Sequence, residues 1–385
     1  MNSRNDSLAL DSNPLQQAVG ETLDEARRQA IAAAQQVERG VGEAMDSARA
    51  QVGHAAERVE LAYDETVART RSLWRRALVA VRNWFDTSAV LPVDGPEADR
   101  IAWLRVVPFI GLHLACLGVI WVGVSAFAVG VAVALYLLRM FAITGFYHRY
   151  FSHKTFRTSR AAQFLFALIG AASVQRGPLW WAAHHRNHHR HSDTPLDVHS
   201  PKVHGFWRSH AGWFLTRSGF RTDWDRVRDL ARFPELRWID RFDTLVPVAL
   251  AVALYALGAL LERVAPALGT SGPQLLVWGF FVSTVVLFHA TVTINSLAHR
   301  FGHRRFETRD DSRNNGWLAL LTFGEGWHNN HHFFPGSARQ GFRWWEIDLT
   351  YYGLRALAWV RVVHDLRPVP AWVLERAASK QARAA

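Results

Sequence analysis

Apolar and polar residues are segregated along this chain into blocks. Four apolar runs, 106–124, 127–147, 245–261 and 275–297, approach the roughly twenty residues that a helix needs to cross a bilayer. Only a turn around Ser125 separates the first two, and 262–272 separates the second pair, so the runs form two hairpins. Two hairpins leave the N-terminal arm, the long segment 148–243 and the segment 299–385 on one side. The opposite side carries Arg263 as its strong cation, while the shared side holds most of the Lys and Arg. That bias orients the termini and the polar segments toward the cytoplasm, and a bacterial cytoplasmic membrane is the expected location. A further apolar stretch, 164–174, is too short to span and is expected to be re-entrant, interfacial or buried. Arg139 lies more than two turns before His148, so the second helix is expected to project beyond the bilayer there.

Ahead of these runs the pattern is thinner. In 1–68, rich in Ala, Glu, Gln and Arg, the residues Val37, Val41, Met45, Ala48, Val52, Ala55, Val59 and Ala62 recur at helical steps, interrupted by Gly40 and Gly42. A helical or partly disordered arm fits better than a coiled coil. In 69–100, Trp74, Ala77, Leu78, Val81 and Phe85 form an apolar face amid Arg69, Arg71, Arg75, Arg76 and Arg82. This reads as a basic amphipathic helix on the membrane surface, with a linker; the alternative is a surface helix packed on the body. The expected division is an arm at 1–68, the basic helix at 69–100, a membrane domain at 101–368 and a tail at 369–385. The fold class is all-α: an integral membrane protein of four transmembrane helices with a cytosolic helical cap.

Composition narrows the chemistry. A net charge of +11 over 385 residues is compatible with nucleic acid, but 17 Trp and membrane-length runs favour anionic lipid or an anionic acyl carrier instead. The single Cys116 excludes an intrachain disulfide framework, and Met1–Gln16 shows no secretory apolar core.

Three clusters remain: His148-Arg-Tyr-Phe-Ser-His153, His185-Arg-Asn-His188-His189 and His328-Asn-Asn-His331-His332. Neutral imidazole is the commonest metal-ligating side chain, and eight imidazoles are too many for one tetrahedral zinc. Without thiolates or many carboxylates, the pattern points to two transition-metal ions, iron first. In the second and third clusters the imidazoles sit at i, i+3 and i+4, one face of a helix. His148 and His153 are five apart, about 140° on an ideal helix, so the helix is expected to end or distort between them, or each to serve a different ion. Asn295-Ser-Leu-Ala-His299 adds a ninth imidazole and a neutral amide suited to a water-bridged role. A polar pair at the end of an intramembrane helix is costly and usually functional. Asp193, Asp197 and Glu325 are at hand to engage the second ring nitrogens. His184, His191, His199, His204, His210 and His303 are expected to be hydrogen-bonded or headgroup-facing, and His54, His113, His289 and His364 have no motif context.

These motifs, with Trp181-Ala-Ala-His-His185 and Gly324-Glu-Gly-Trp-His328, resemble the membrane-bound fatty acyl desaturases, specifically the acyl-CoA delta-9 branch, across roughly 105 to 350. The resemblance implies a membrane stem capped by a cytosolic domain with two irons. Their ligands would be His148, His153, His185, His188, His189, His299, His328, His331 and His332, with Asn295 holding a water. Oxygen and two electrons would remove two hydrogens from a saturated acyl chain, leaving a cis double bond. It implies a substrate tunnel beside Trp180, Trp181 and Thr291, bent at Trp181, with Met140 and Tyr136 at its closed end. Met140 fills volume there, so palmitoyl is expected to be preferred over stearoyl, with the double bond between carbons nine and ten. Arg217 matches one carrier-gripping cation, but Ser218 and Ala183 stand where the family has cations. Acyl-CoA is the expected donor and a phospholipid acyl group the alternative. Nothing after His332 suggests a fused haem domain, so electrons are expected from a separate ferredoxin- or cytochrome-type partner. The competing readings are a di-iron hydroxylase or epoxidase, and a non-redox zinc-binding membrane protein.

Overall fold

The computed structural model describes residues 14–89 and 95–382; the start of the arm, part of the linker and the last three tail residues lie outside them. The chain divides into one unit ending at Arg76 and a second beginning at Ala77. Helix Pro14–Phe85 runs unbroken through the glycines at 40 and 42. Its apolar stripe builds no core: Val37, Val41, Met45, Val52 and Val59 are all exposed. Within the second unit, the end of this helix is tied to neighbouring backbone and charge. Trp84 Nε1 donates to Leu104 O at 2.8 Å, and Arg241 holds the Asp86 carboxylate through two bonds of 2.9 and 2.8 Å.

Among the described residues, four helices are long and apolar enough to cross a membrane: Trp103–Val122, Ala126–Ser152, Leu245–Val264 and Gly272–Ser296. Gly123, at φ 68°, makes the first sharp turn, and Ser125 caps the next helix by accepting from Ala128 N. The first helix buries 6% of its apolar window and the fourth 50%. The outer helices therefore present their side chains to lipid, while the inner ones carry the interior. Arg139 lies in the second of these helices. It is 1% exposed, inside the bundle, where it donates to Ser283 Oγ at 2.6 Å, Thr284 Oγ1 at 2.8 Å and the carbonyls of Leu135 and Ala172. Four acceptors satisfy the guanidinium where it is buried.

The short apolar stretch forms helix Arg160–Ala171, capped by Ser159, with Phe166, Ala167 and Gly170 buried on one face and Phe164 and Leu165 exposed on the other. Phe166 stacks on Phe146 with ring centroids 3.8 Å apart, and Gly170 lies so close under the Tyr147 ring that a methyl group there would collide with it. This helix, helix Pro178–His191 and the end of the second spanning helix share one core, including Phe146, Tyr147, Phe151, Leu179, Leu236 and Leu354. The described strands are two residues each, Arg157–Thr158 paired antiparallel with Val363–His364, which fasten the C-terminal segment to the chain after His153.

Candidate metal centre

Four stretches of chain deliver the nine imidazoles. The second spanning helix widens over Ala142–Ser152 into turns that close i to i+5, and His153 N donates to His148 O at 3.2 Å. Such a turn brings residues five apart onto one face, which is how His148 and His153 come to point the same way. Helix Pro178–His191 presents His185, His188 and His189. Its first turn is fixed by Pro178 and by Asp240, whose Oδ1 accepts from Leu179 N at 3.0 Å and Trp180 N at 2.8 Å. His299 follows the fourth spanning helix in a tight turn, with Leu297 O accepting from Arg300 N. The short helix His328–Phe333 supplies the rest. A β-carbon at Gly324 or Gly326 would strike Asp348 or the backbone of Ala319 and Asn315, so this approach needs glycine. The two asparagines between the histidines anchor that helix. Asn329 Oδ1 accepts from the backbone N–H of Arg305 and Phe306, and Asn330 Nδ2 donates to Glu346 and Gln340 O.

The imidazoles converge in two groups. His148, His153, His185, His189 and His331 form one, and His188, His299, His328 and His332 the other, each with ring nitrogens within 4.8 Å of one another. Nε2 atoms face each other at 2.7 Å for His153 and His185, 3.1 Å for His148 and His331, 2.8 Å for His189 and His331, 3.0 Å for His299 and His328 and 3.3 Å for His188 and His332.

Behind the rings stand carboxylates. Asp197 Oδ2 lies 3.0 Å from His188 Nδ1, Asp193 Oδ2 2.9 Å from His299 Nδ1, Asp310 Oδ2 2.8 Å from His332 Nδ1, and Glu325 contacts His148 Nδ1. Burial, reinforced by neighbouring imidazoles, holds His153, His185, His189, His328 and His331 well below the usual histidine range, and His332 at about 4. Burial also pushes against ionisation of Asp193, Asp197 and Asp310, but their histidine partners outweigh it and hold these carboxyls below their ordinary range. The combination decides what the cluster can do. With Asp197 and Asp310 on their Nδ1 atoms, His188 and His332 turn Nε2 toward each other, and in the neutral rings these atoms carry lone pairs. Two lone pairs 3.3 Å apart repel unless a cation lies between them. The donor set, nitrogen-rich and free of thiolate, fits iron.

A family model for fatty acid desaturases matches residues 123–363. The chain belongs to the fatty acid desaturase family. Relatives include an sn-1 stearoyl-lipid 9-desaturase of Anabaena variabilis, 38% identical over 67% of this chain and 91% of the relative. An sn-2 palmitoyl-lipid 9-desaturase of Nostoc sp. is 38% identical over 70% and 91%, and an acyl-CoA 5-desaturase of Anemone leveillei is 35% identical over 75% and 89%. Lipid-linked and CoA-linked enzymes thus both resemble this desaturase family member, and the acyl-CoA delta-9 branch is not singled out.

Two cavities meet at the histidines. The larger, about 230 Å³, is walled by Phe109 and Leu112 of the first spanning helix, Phe288 and Val292 of the fourth, and Trp180 and Trp213. The smaller, about 50 Å³, is lined by Met140, Ile143 and Thr144. Trp181, His185, Thr291 and Asn295 border both and stand between them. Trp181 stacks on His185 at 5.1 Å, and Thr291 Oγ1 accepts from Gln175 Nε2 at 3.0 Å. Tyr136 does not line the inner cavity. It packs beside Met140, Leu287 and Ala290, with its hydroxyl on Leu321 O. Arg217 lies away from both cavities, half-exposed and paired with Glu97 at 2.6 Å; Arg105 and Arg176 line the larger cavity instead.

Sequence reasoning missed Asp310, Gln340, whose Nε2 donates to Glu325 Oε2 at 2.9 Å, and the Asp240 cap; all come from loops or elements with no ligand spacing. It also missed a hydrogen-bonded chain apart from both groups: His113 Nε2 to His289 Nε2 at 3.1 Å, and His289 Nδ1 to His210 Nε2 at 3.0 Å. His199 stands against Asp197 at 3.1 Å, behind His188.

Proposed function

We propose that this protein is a 9-desaturase acting on a saturated acyl chain, and that the chain is presented on a membrane glycerolipid. One acyl chain, one O₂, two electrons and two protons would give one cis double bond and two waters. The observation that carries this reading is the small cavity beside the histidines. It is lined by His148 and His185 of one group, by His188 and His328 of the other and by Met140 and Ile143, and it shares Trp181, His185, Thr291 and Asn295 with a larger, mostly apolar cavity. A methylene chain threaded through both would bring its middle carbons past both ligand groups.

When bound, two irons would supply oxygen activation and hydrogen abstraction, the step side chains cannot perform. They would be held by the five and the four imidazoles, with Asn295 beside them for a water. The chain's own residues position the substrate. Trp181 and Thr291 bend it between the two cavities, Met140 ends it, and the apolar walls exclude water from a reactive site. Electrons would come from a separate ferredoxin- or cytochrome-type donor at the cytoplasmic face, the side that the cation bias assigns to the histidines.

A glycerolipid donor is favoured over CoA on two grounds. Both 9-desaturase relatives described above are named for lipid-linked acyl groups. Ala183 and Ser218 also stand where the acyl-CoA branch has cations, and Arg217 is already engaged by Glu97, which it shares with Arg100. Expression in a host that makes no unsaturated fatty acid, with double-bond location by lipid class, tests this. New monoenes with the bond at carbon nine should appear in glycerolipid when acyl-CoA formation is blocked. Hydroxylated chains instead would replace desaturation by oxygen insertion, and monoenes that vanish with acyl-CoA would restore the CoA donor.

A further inference from the structure

The two ligand groups differ in the charge behind them. In the four-histidine group, three imidazoles are backed by carboxylates: His188 by Asp197, His299 by Asp193 and His332 by Asp310. Among the described residues, none of these three carboxylates pairs with Lys or Arg. Asp197 spends its second oxygen on His199, and Asp193 accepts from Ser200 Oγ at 2.6 Å and Asp311 N at 2.8 Å. In the five-histidine group, Glu325 behind His148 is the one carboxylate in contact among the described residues. It shares buried Arg149, whose Nη2 donates to it at 3.1 Å while Nη1 holds buried Asp348 at 2.9 Å, and it also accepts from Gln340. The backing charge is therefore close to −3 at one group and close to −1 at the other.

We infer that Asp193, Asp197 and Asp310 make the two metal positions electrically unequal. The four-histidine group holds its ion in the higher charge state, and the five-histidine group is where an arriving electron first resides. The inference rests on the two-iron reading above. An anion hydrogen-bonded to Nδ1–H makes the imidazole a stronger donor, and uncompensated negative charge nearby favours ferric over ferrous iron. Each reduction adds one electron to one ferric ion and breaks no bond, so the order of reduction reports this difference directly. Asp310 acts through His332 and is a positioning residue.

The test is a reductive titration of the ⁵⁷Fe-loaded full-length protein with dithionite and mediators, followed by Mössbauer spectroscopy, in wild type and Asp310→Asn. Asparagine keeps an oxygen for the His332 Nδ1–H and removes only the charge. Two ferrous doublets should arise one after the other. In Asp310→Asn, at unchanged iron content, the later doublet should alter and its ferric preference fall about tenfold, an upward shift of about 59 mV for one electron. The early doublet should stay in place. The inference is overturned if the doublet altered by Asp310→Asn is the early one, if the two ions reduce together, or if the midpoint is unmoved. Should Asp310→Asn lose iron, Asp193→Asn makes the same test at His299. If both variants lose one iron, survival of the early doublet supports the inference and survival of the late one overturns it. Wild-type protein with fewer than two irons would sink the two-iron reading itself, and the inference with it.

Discussion

The first and third spanning helices can be set against the second and fourth. All four have similar hydropathy, 1.8, 2.1, 2.2 and 2.0, yet the first pair buries 6% and 17% of its apolar window and the second pair 33% and 50%. The first pair are lipid-facing walls. The second pair end in chemistry: the second widens into the turns carrying His148 and His153, and the fourth runs out at Asn295 and His299. Hydropathy alone does not separate a wall from a platform. What separates them is the polar residue that the interior must satisfy, such as Arg139 with its four acceptors.

The strongest way to break this contrast is to remove a ligand. Replacing His188 or His332 by Ala should abolish turnover, by more than about a hundredfold given the cost of lost metal support, and lower bound iron. Full activity with full iron in either variant would end the assignment.

A second comparison uses one substitution at two places. Gly326→Ala puts a methyl group into the backbone of Ala319 and Asn315, next to the His328 helix, and should destabilise by about 1–3 kcal/mol. Gly111→Ala, on the first spanning helix with open space around it, should be neutral or stabilise by up to about 1 kcal/mol. Melting of the purified proteins by fluorescence reads the difference; equal effects at both sites would mean that the His328 helix is not tightly seated.

That seating shows how much was legible in the sequence. Spacing at i, i+3 and i+4 put His185, His188 and His189 on one helix face, as it did His328, His331 and His332, because helix geometry dictates it. Spacing could not divide nine imidazoles between two groups, since that depends on wide turns over Ala142–Ser152 that no residue type announces. Asp310 was invisible for a related reason. A lone acidic pair in a loop acquires its meaning only when the fold lays it against His332. The partners of Arg139 were not legible either; Ser283 and Thr284, remote in sequence, keep it buried.

Two smaller effects sharpen the comparison. Met140 lines the inner cavity, so Met140→Ala should shift a palmitoyl–stearoyl competition toward the longer chain by roughly fivefold, the equivalent of about 1 kcal/mol of relieved overpacking. An unchanged ratio would mean that Met140 does not set the tunnel floor. Residues 1–68 carry a single histidine, His54, outside the ligand motifs, and their deletion should leave turnover and iron within about twofold of wild type. Loss of turnover at normal iron would give the arm a catalytic part.

The central claim, dehydrogenation of an acyl chain passing both histidine groups, is tested most directly with a saturated chain carrying deuterium at carbons nine and ten, supplied as glycerolipid to the purified protein with oxygen and a reductant. The account predicts a product that has lost one deuterium from each carbon and gained no oxygen. A product that keeps one of those deuteriums and carries a new hydroxyl, or a chain recovered unchanged while oxygen is consumed, would contradict it.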